Sequence, residues 1–302
     1  MRSASSTRLA LATAATLLLA ACASTPPEPV GPKAKEEIVA VSSGNQLLRF
    51  NAGQPQQVRE RRPLAGLRAA ERILGIDFRV ARGELYALGA VGTAGQLYRI
   101  DIAQARALPV GTGLQLPAGS DQAVDWGFDF NPTVDRIRVV NDTGANLRLH
   151  PDTGAQVDAD AGQPGPQADG PLGYQAGDLA AGKAAAIVAA GYTYNQTDDK
   201  ITTNFALDGA AGTLVHQGSK EGLQPVVSPN TGRLFTVGSL GIGPFAHATL
   251  DISDLAPTAY SGIHARGARA TRWYQLDLVT GRARFIGTVG GGEPLVGAAI
   301  EP

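Results

Sequence analysis

The chain has 302 residues, with 26 basic and 27 acidic side chains, a net charge of −1, one cysteine and four histidines. A near-neutral balance without a basic patch interleaved with aromatics argues against a nucleic-acid partner, and a lone cysteine excludes an intramolecular disulfide or a thiolate cluster. With 38 glycines, 19 prolines and 18% charged residues, short strands joined by turns are expected rather than long helices.

The first predicted element is an export leader. Arg2 and Arg8 give a basic start, no acidic residue precedes Glu28, and residues 9–21 are apolar or small apart from Thr13 and Thr16. That run is too short to span a bilayer comfortably and has the proportions of a secretory leader. It ends in Leu19-Ala20-Ala21-Cys22, which resembles the lipobox of bacterial lipoproteins. The resemblance implies a diacylglyceryl group on the Cys22 thiol, cleavage just before it, and anchoring to a membrane by two or more acyl chains. An ordinary signal peptide with an incidental cysteine is the alternative. Ala23, in place of the aspartate that retains such proteins at an inner membrane, favours the outer membrane, facing the periplasm.

Three segments follow: a signal peptide (1–21), a lipidated flexible tether (22–36) rich in Pro, Ser, Thr and charge, and one folded body (37–302). Removing the leader with its two arginines leaves 281 residues carrying 24 basic and 27 acidic side chains, a net charge of about −3, enough chain for one sizeable core. No later apolar run is long enough to cross a membrane as a helix.

The body repeats itself. One unit runs Gly75-Ile76-Asp77-Phe78, then 84–88, 96–101 and 107–111, four short strand-like runs separated by turns. The order recurs from Gly127-Phe128-Asp129-Phe130, in degenerate form from Gly191-Tyr192-Thr193-Tyr194, and again from Thr249-Leu250-Asp251-Ile252. Near the N-terminus, 38–41 and 46–51 lack a first run, and Gly297-Ala298-Ala299-Ile300 at the C-terminus supplies it. A last strand that completes the first sheet is how many β-propellers close. The units start 52, 64, 58 and 48 residues apart, long for a four-stranded blade. An all-β, propeller-like fold of five blades is expected. Six is the alternative, because 232–237 could belong to an extra sheet. Residues 158–183, rich in Gly, Ala, Pro and Asp, read as a long surface insertion.

The run from Gly127 through Asn131-Pro132-Thr133-Val134-Asp135-Arg136-Ile137-Arg138-Val139-Val140, with Gly75-Ile76-Asp77-Phe78, Asn146-Leu147-Arg148-Leu149 and Pro151-Asp152-Thr153-Gly154, resembles bacterial domain-of-unknown-function family 4394. The similarity covers most of 37–302 and is most specific between Trp126 and Gly154. His247-Ala248-Thr249 departs from it, standing where a glycine-containing run is expected before Asp251. The resemblance implies exported β-repeats and adds no chemistry.

Asp77, Asp129 and Asp251 occupy equivalent places in three units, with Thr193 and Ala299 in the other two. On innermost strands they would ring the axis, and with carbonyl help from Asn131 they could hold a cation such as Ca²⁺. The competing reading ties each carboxylate to a backbone N–H or to an arginine between blades, Arg136 and Arg138 being the ion-pair candidates, because a buried carboxylate needs a partner. The histidines His150, His216, His247 and His264 show no metal-ligand spacing, and neither a nucleophile elbow nor a phosphate loop occurs. No catalytic residue is therefore assigned. The leading expectation is an exported, lipid-anchored binding or interaction module. Its partner would be an envelope protein, a glycan or a small ligand met by loops at one end of the ring. One alternative is a cation-dependent hydrolase of the propeller-lactonase type, with a metal at Asp77, Asp129, Asn131 and Asp251. The other is a purely structural envelope protein.

Overall fold

A computed structural model describes residues 28–120, 124–268 and 270–302. The leader and Cys22, with its expected lipid, lie outside the described residues. Among the described residues no helix is long and apolar enough to cross a membrane.

Five small sheets, each one blade, surround a common axis. Blade 1 is ordered from the axis outward as Leu295–Ile300, Glu37–Ser42, Gln46–Asn51 and Glu60–Pro63. The C-terminal strand does complete it, with Val39 opposite Ala299. Blade 2 is Arg72–Arg79, Glu84–Val91, Ala94–Asp101 and Arg106–Gln115. Blade 3 has three strands, Trp126–Asn131, Arg136–Asn141 and Asn146–Leu149. Blade 4 is Ile187–Tyr192, Asn204–Asp208, Thr213–Gln217 and Arg233–Ser239. The 232–237 run is thus the fourth strand of blade 4, and the six-blade alternative falls. The insertion adds a fifth strand to that blade, Gly173–Tyr174, paired parallel to Arg233 and Leu234.

Blade 5 carries an interrupted inner strand, His247–Ala248 and Asp251–Ile252, followed by Ala259–His264, Arg272–Leu276 and Ala283–Thr288. The interruption falls at Thr249, where the other units have glycine. There the Thr249 hydroxyl oxygen, not a carbonyl, accepts the Gly262 N–H at 3.0 Å.

Alternation along each strand sends successive side chains to opposite faces, so every blade packs on both neighbours. In Arg136–Asn141, Ile137 and Val139 join the apolar cluster shared with blade 2, and Val140 joins the cluster shared with blade 4. Five such clusters fill the five interfaces. The first-run glycines make this closeness feasible. A Cβ on Gly75 would stand 2.5 Å from Phe128 Cβ, and one on Gly127 would stand 2.7 Å from the Ala189 and Ala190 backbone. The segment expected as tether is, from Glu28 onward, bound to the ring. Glu28 accepts from Thr288 N–H, and the Asn51 side chain bonds both N–H and C=O of Ala34.

Candidate functional site

The inner strands all run the same way along the axis. Their first residues, Leu74, Trp126, His247 and Leu295 among them, line one cavity, and their later residues meet at Asp77, Asp129 and Asp251. Between the two ends the axis is plugged by Gly75, Gly127, Thr249, Gly297 and neighbouring alanines around a void of only about 10 Å³.

The three aspartates do converge. One carboxylate oxygen from each lies within 4.8 Å of the others. Each also reaches across to the next blade and accepts a backbone N–H: Asp77 from Phe130 at 2.7 Å, Asp129 from Tyr192 at 2.9 Å, and Asp251 from Ile300 at 2.5 Å. These contacts join blades 2 to 3, 3 to 4 and 5 to 1. Burial, reinforced by the neighbouring aspartates, pushes the Asp77 and Asp129 carboxyls well above the usual carboxylate range. Asp251, raised chiefly by burial, is pushed up to about 7. Burial and the same three carboxylates push the Tyr194 hydroxyl strongly upward.

Asn131 does not join the group, since its side-chain oxygen accepts from the Thr133 N–H and hydroxyl at 2.9 and 2.7 Å. Nor are the expected arginines the partners. Arg136 donates to the carbonyls of Val134 and Asp135. Arg138 stands opposite Asp129 in the strand register but extends outward, away from the plugged axis, to Asp169 at 2.6 Å. Each carboxylate is met instead by a backbone N–H of the adjoining strand.

Arg138 lies at the floor of a cleft of about 590 Å³ between blades 3 and 4. It is buried, and four of its five N–H groups are engaged: Nη1 donates to Asp169 and Asn146, Nη2 to Asn230, and Nε to the Tyr192 hydroxyl. Arg148 shares Asp169 through two bonds of 2.8 Å. The walls come from the Asn131–Arg136 hairpin turn, residues 200–204 of blade 4 and residues 217–230. They carry Arg136, Lys200 and Lys220, none of which has a carboxylate partner among the described residues. Glu221 is the one acidic group in the lining, and it takes bonds from Thr193 and Asn195. The rim exposes Val134 (57%), Leu223 (54%) and Val226 (70%).

At the opposite end of the axis, the structure pairs two histidines that sequence spacing left scattered. His247 and His264 stand opposite each other in blade 5, with ring centroids 6.2 Å apart. His247 Nδ1 lies 3.0 Å from Asp125 Oδ1. Both rings border a cavity of about 290 Å³ with Arg72 and Trp126. Arg72 donates to the Ser120 carbonyl. The signal was present in the sequence: the register that opposes Asp251 to Tyr260, extended four residues, opposes His247 to His264. The other two histidines stand apart, His216 bonded to the Gly218 carbonyl and His150 accepting the Asp152 N–H.

Five blades, a C-terminal closing strand and a plugged axis define a five-bladed β-propeller. Residues 46–299 match the family described as Domain of unknown function (DUF4394), and the chain belongs to that family. No curated protein matches it. Among solved structures, it is similar to a chain of a nidogen/laminin complex at 10% identity and a TM-score of 0.48, covering 88% of this chain and 98% of that one. An auxiliary nutrient binding protein from Bacteroides thetaiotaomicron VPI-5482 matches at 15% identity and 0.40, covering 74% and 55%. TolB from Acinetobacter baumannii matches at 9% and 0.43, covering 84% and 53%. At these scores the likenesses carry no functional argument.

Proposed function

We propose that the chain is a binding module, held at the bacterial envelope by lipid on Cys22, that takes an anionic ligand with an apolar portion in the cleft between blades 3 and 4. The observation that carries this reading is the composition of the lining. Arg136, Lys200 and Lys220 stand in the walls without a carboxylate partner among the described residues, Arg138 and Arg148 share the one carboxylate of Asp169 beneath them, and Glu221 is the one acidic group of the lining, below an exposed apolar rim. On a body that is acidic overall, this is a local concentration of positive charge. Such a concave cation field raises the encounter rate with anions. A volume near 590 Å³ suits a small ligand or one end of a larger one. The buried Arg138–Asp169 pair holds the floor rigid, so the ligand meets Arg136, Lys200 and Lys220 at the walls.

Titration with 8-anilinonaphthalene-1-sulfonate, an anion with an apolar ring system, tests this. One saturable site is expected, weakened by salt and by at least about tenfold in Arg136→Glu/Lys220→Glu. Equal affinity in that variant, with the melt unchanged, would sink the reading.

A second reading is favoured by the three carboxylates within 4.8 Å of one another: a cation such as Ca²⁺ held by Asp77, Asp129 and Asp251. Because those groups are buried and backed by the glycine-rich plug, such an ion would brace the ring. That geometry supports a strut more than the hydrolase alternative, whose metal must meet a substrate.

A further inference from the structure

The two histidines at the axial mouth have tautomers fixed by their partners. A carboxylate only accepts, so the 3.0 Å contact between His247 Nδ1 and Asp125 makes Nδ1 the protonated nitrogen. The neutral ring then carries its lone pair on Nε2, which is buried and has no hydrogen-bond partner. His264 is fixed less directly. The Thr271 hydroxyl donates to the Glu293 carbonyl at 2.6 Å, so its oxygen acts as an acceptor toward the Leu295 N–H and toward His264 Nε2. His264 Nε2 therefore carries the proton and Nδ1 the lone pair, and Nδ1 makes no hydrogen bond among the described residues.

Two imidazoles on facing strands, both bordering the same cavity, thus each leave one ring nitrogen without a hydrogen-bond partner among the described residues. A buried acceptor without a partner calls for an explanation. The Asp125–His247 contact is the arrangement in which a carboxylate orients a ligating histidine and raises its basicity. The local charge agrees. Asp142, bonded through its backbone N–H to the Asp125 carbonyl, has a buried side-chain oxygen without a partner. Burial and the Asp125 charge push its carboxyl upward. Arg72 is the cation of the cavity lining, and its guanidinium is engaged with Ser120.

We propose that the axial mouth is a binding site for a divalent transition-metal ion of borderline softness, such as Zn²⁺ or Cu²⁺, with His247 Nε2 and His264 Nδ1 as the protein ligands and Asp125 as the positioning residue. Imidazole nitrogen suits these ions, whereas Ca²⁺ and Mg²⁺ prefer oxygen. Two protein ligands leave coordination positions open to the cavity, so the ion would be exchangeable and reachable by a small ligand. Trp126, which also lines the cavity, has a buried Nε1 donor without a partner.

Calorimetric titration of the full chain with Zn²⁺ tests the site, with the melt of every variant recorded as a check on folding. One site is expected, at least about tenfold weaker in His247→Ala and in His264→Ala, and weakened about 10–100-fold in Asp125→Asn. If a histidine variant fails to fold, Cu²⁺ on the parent chain answers independently. Its electron spin echo should show two imidazole remote nitrogens. Zn²⁺ affinity retained in the folded His247→Ala/His264→Ala double variant, or a Cu²⁺ signal without imidazole nitrogen, would overturn the proposal.

Discussion

The two faces of blade 3 solve the same problem in different ways. Toward blade 2 the interface is aromatic: Trp126, Phe128 and Phe130 share a cluster with Tyr86, whose ring meets Phe130 edge-on at 5.3 Å. Toward blade 4 the cluster is mostly aliphatic, Val140, Ala190, Ala206 and Val215 beside Ile187 and Leu234, with Tyr174 its one aromatic member. The remaining space is held by Arg138, Asp169, Asn146 and Asn230. Dispersion and area burial close the first face without leaving room. Hydrogen bonds and an ion pair close the second at fixed distances, and the cleft opens above them. A ring of few blades can therefore afford a pocket at one interface when a rigid polar network stands in for side-chain volume.

Removing Asp169 should break that comparison most severely. Asp169→Ala strands the buried Arg138 and frees the partly exposed Arg148, and removing one member of a buried pair costs about 3–5 kcal/mol, measurable by urea unfolding. The contact that reaches from Asp129 to the Tyr192 N–H offers a second, pH-dependent test. A carboxyl raised on folding contributes stability that is complete below its unfolded value and is lost as pH rises through its folded value. With Asp129 well above the usual range and Asp251 near 7, this loss runs from about pH 4 through neutrality. Asp129→Asn keeps an oxygen for Tyr192 and does not titrate, so it should gain stability on the parent chain steadily as pH rises from about 4 to 8, read by urea unfolding at each pH. His264, lowered to about 4, gives an opposite slope between its folded value and about 6.5 in both proteins, so their difference isolates the aspartate. A gap that closes when Ca²⁺ is added to the parent would favour the cation strut.

Smaller effects sharpen the contrast. Gly127→Ala pushes a methyl into the Ala189–Ala190 backbone and should cost about 1–3 kcal/mol, whereas Gly291→Ala meets nothing within 4 Å and should be near neutral. The smallest change in stability belongs to the cleft wall. Lys200→Glu should stay within about 0.5 kcal/mol by thermal melt while weakening the naphthalene sulfonate.

Most of the ring was legible in the sequence. Gly75, Gly127 and Thr249 mark inner strands, each with an aspartate two positions on, and 297–300 supplied the missing first run of blade 1. The period could be read because one blade is a local unit. What joins blades could be read only in part. That Asp77 and Asp129 serve a backbone N–H was one of the two expected outcomes, but the partners of Arg138 come from Asn146, Asn230 and Asp169. Asp169 lies in the low-complexity insertion, where composition gives no hint that one of several aspartates is buried. The cleft escaped for a similar reason: its walls are three loops distant in sequence, and loop closure is not encoded in strand periodicity. The histidine pair was within reach through hairpin register, which spacing counts ignore.

The most direct test of the binding reading is amide hydrogen exchange on the full chain with and without 8-anilinonaphthalene-1-sulfonate. Slower exchange is expected in residues 131–136, 200–204 and 217–230, the three walls of the cleft, with the axial strands unchanged. Protection confined to the axial mouth around His247 and His264, or to none of these segments, would contradict it.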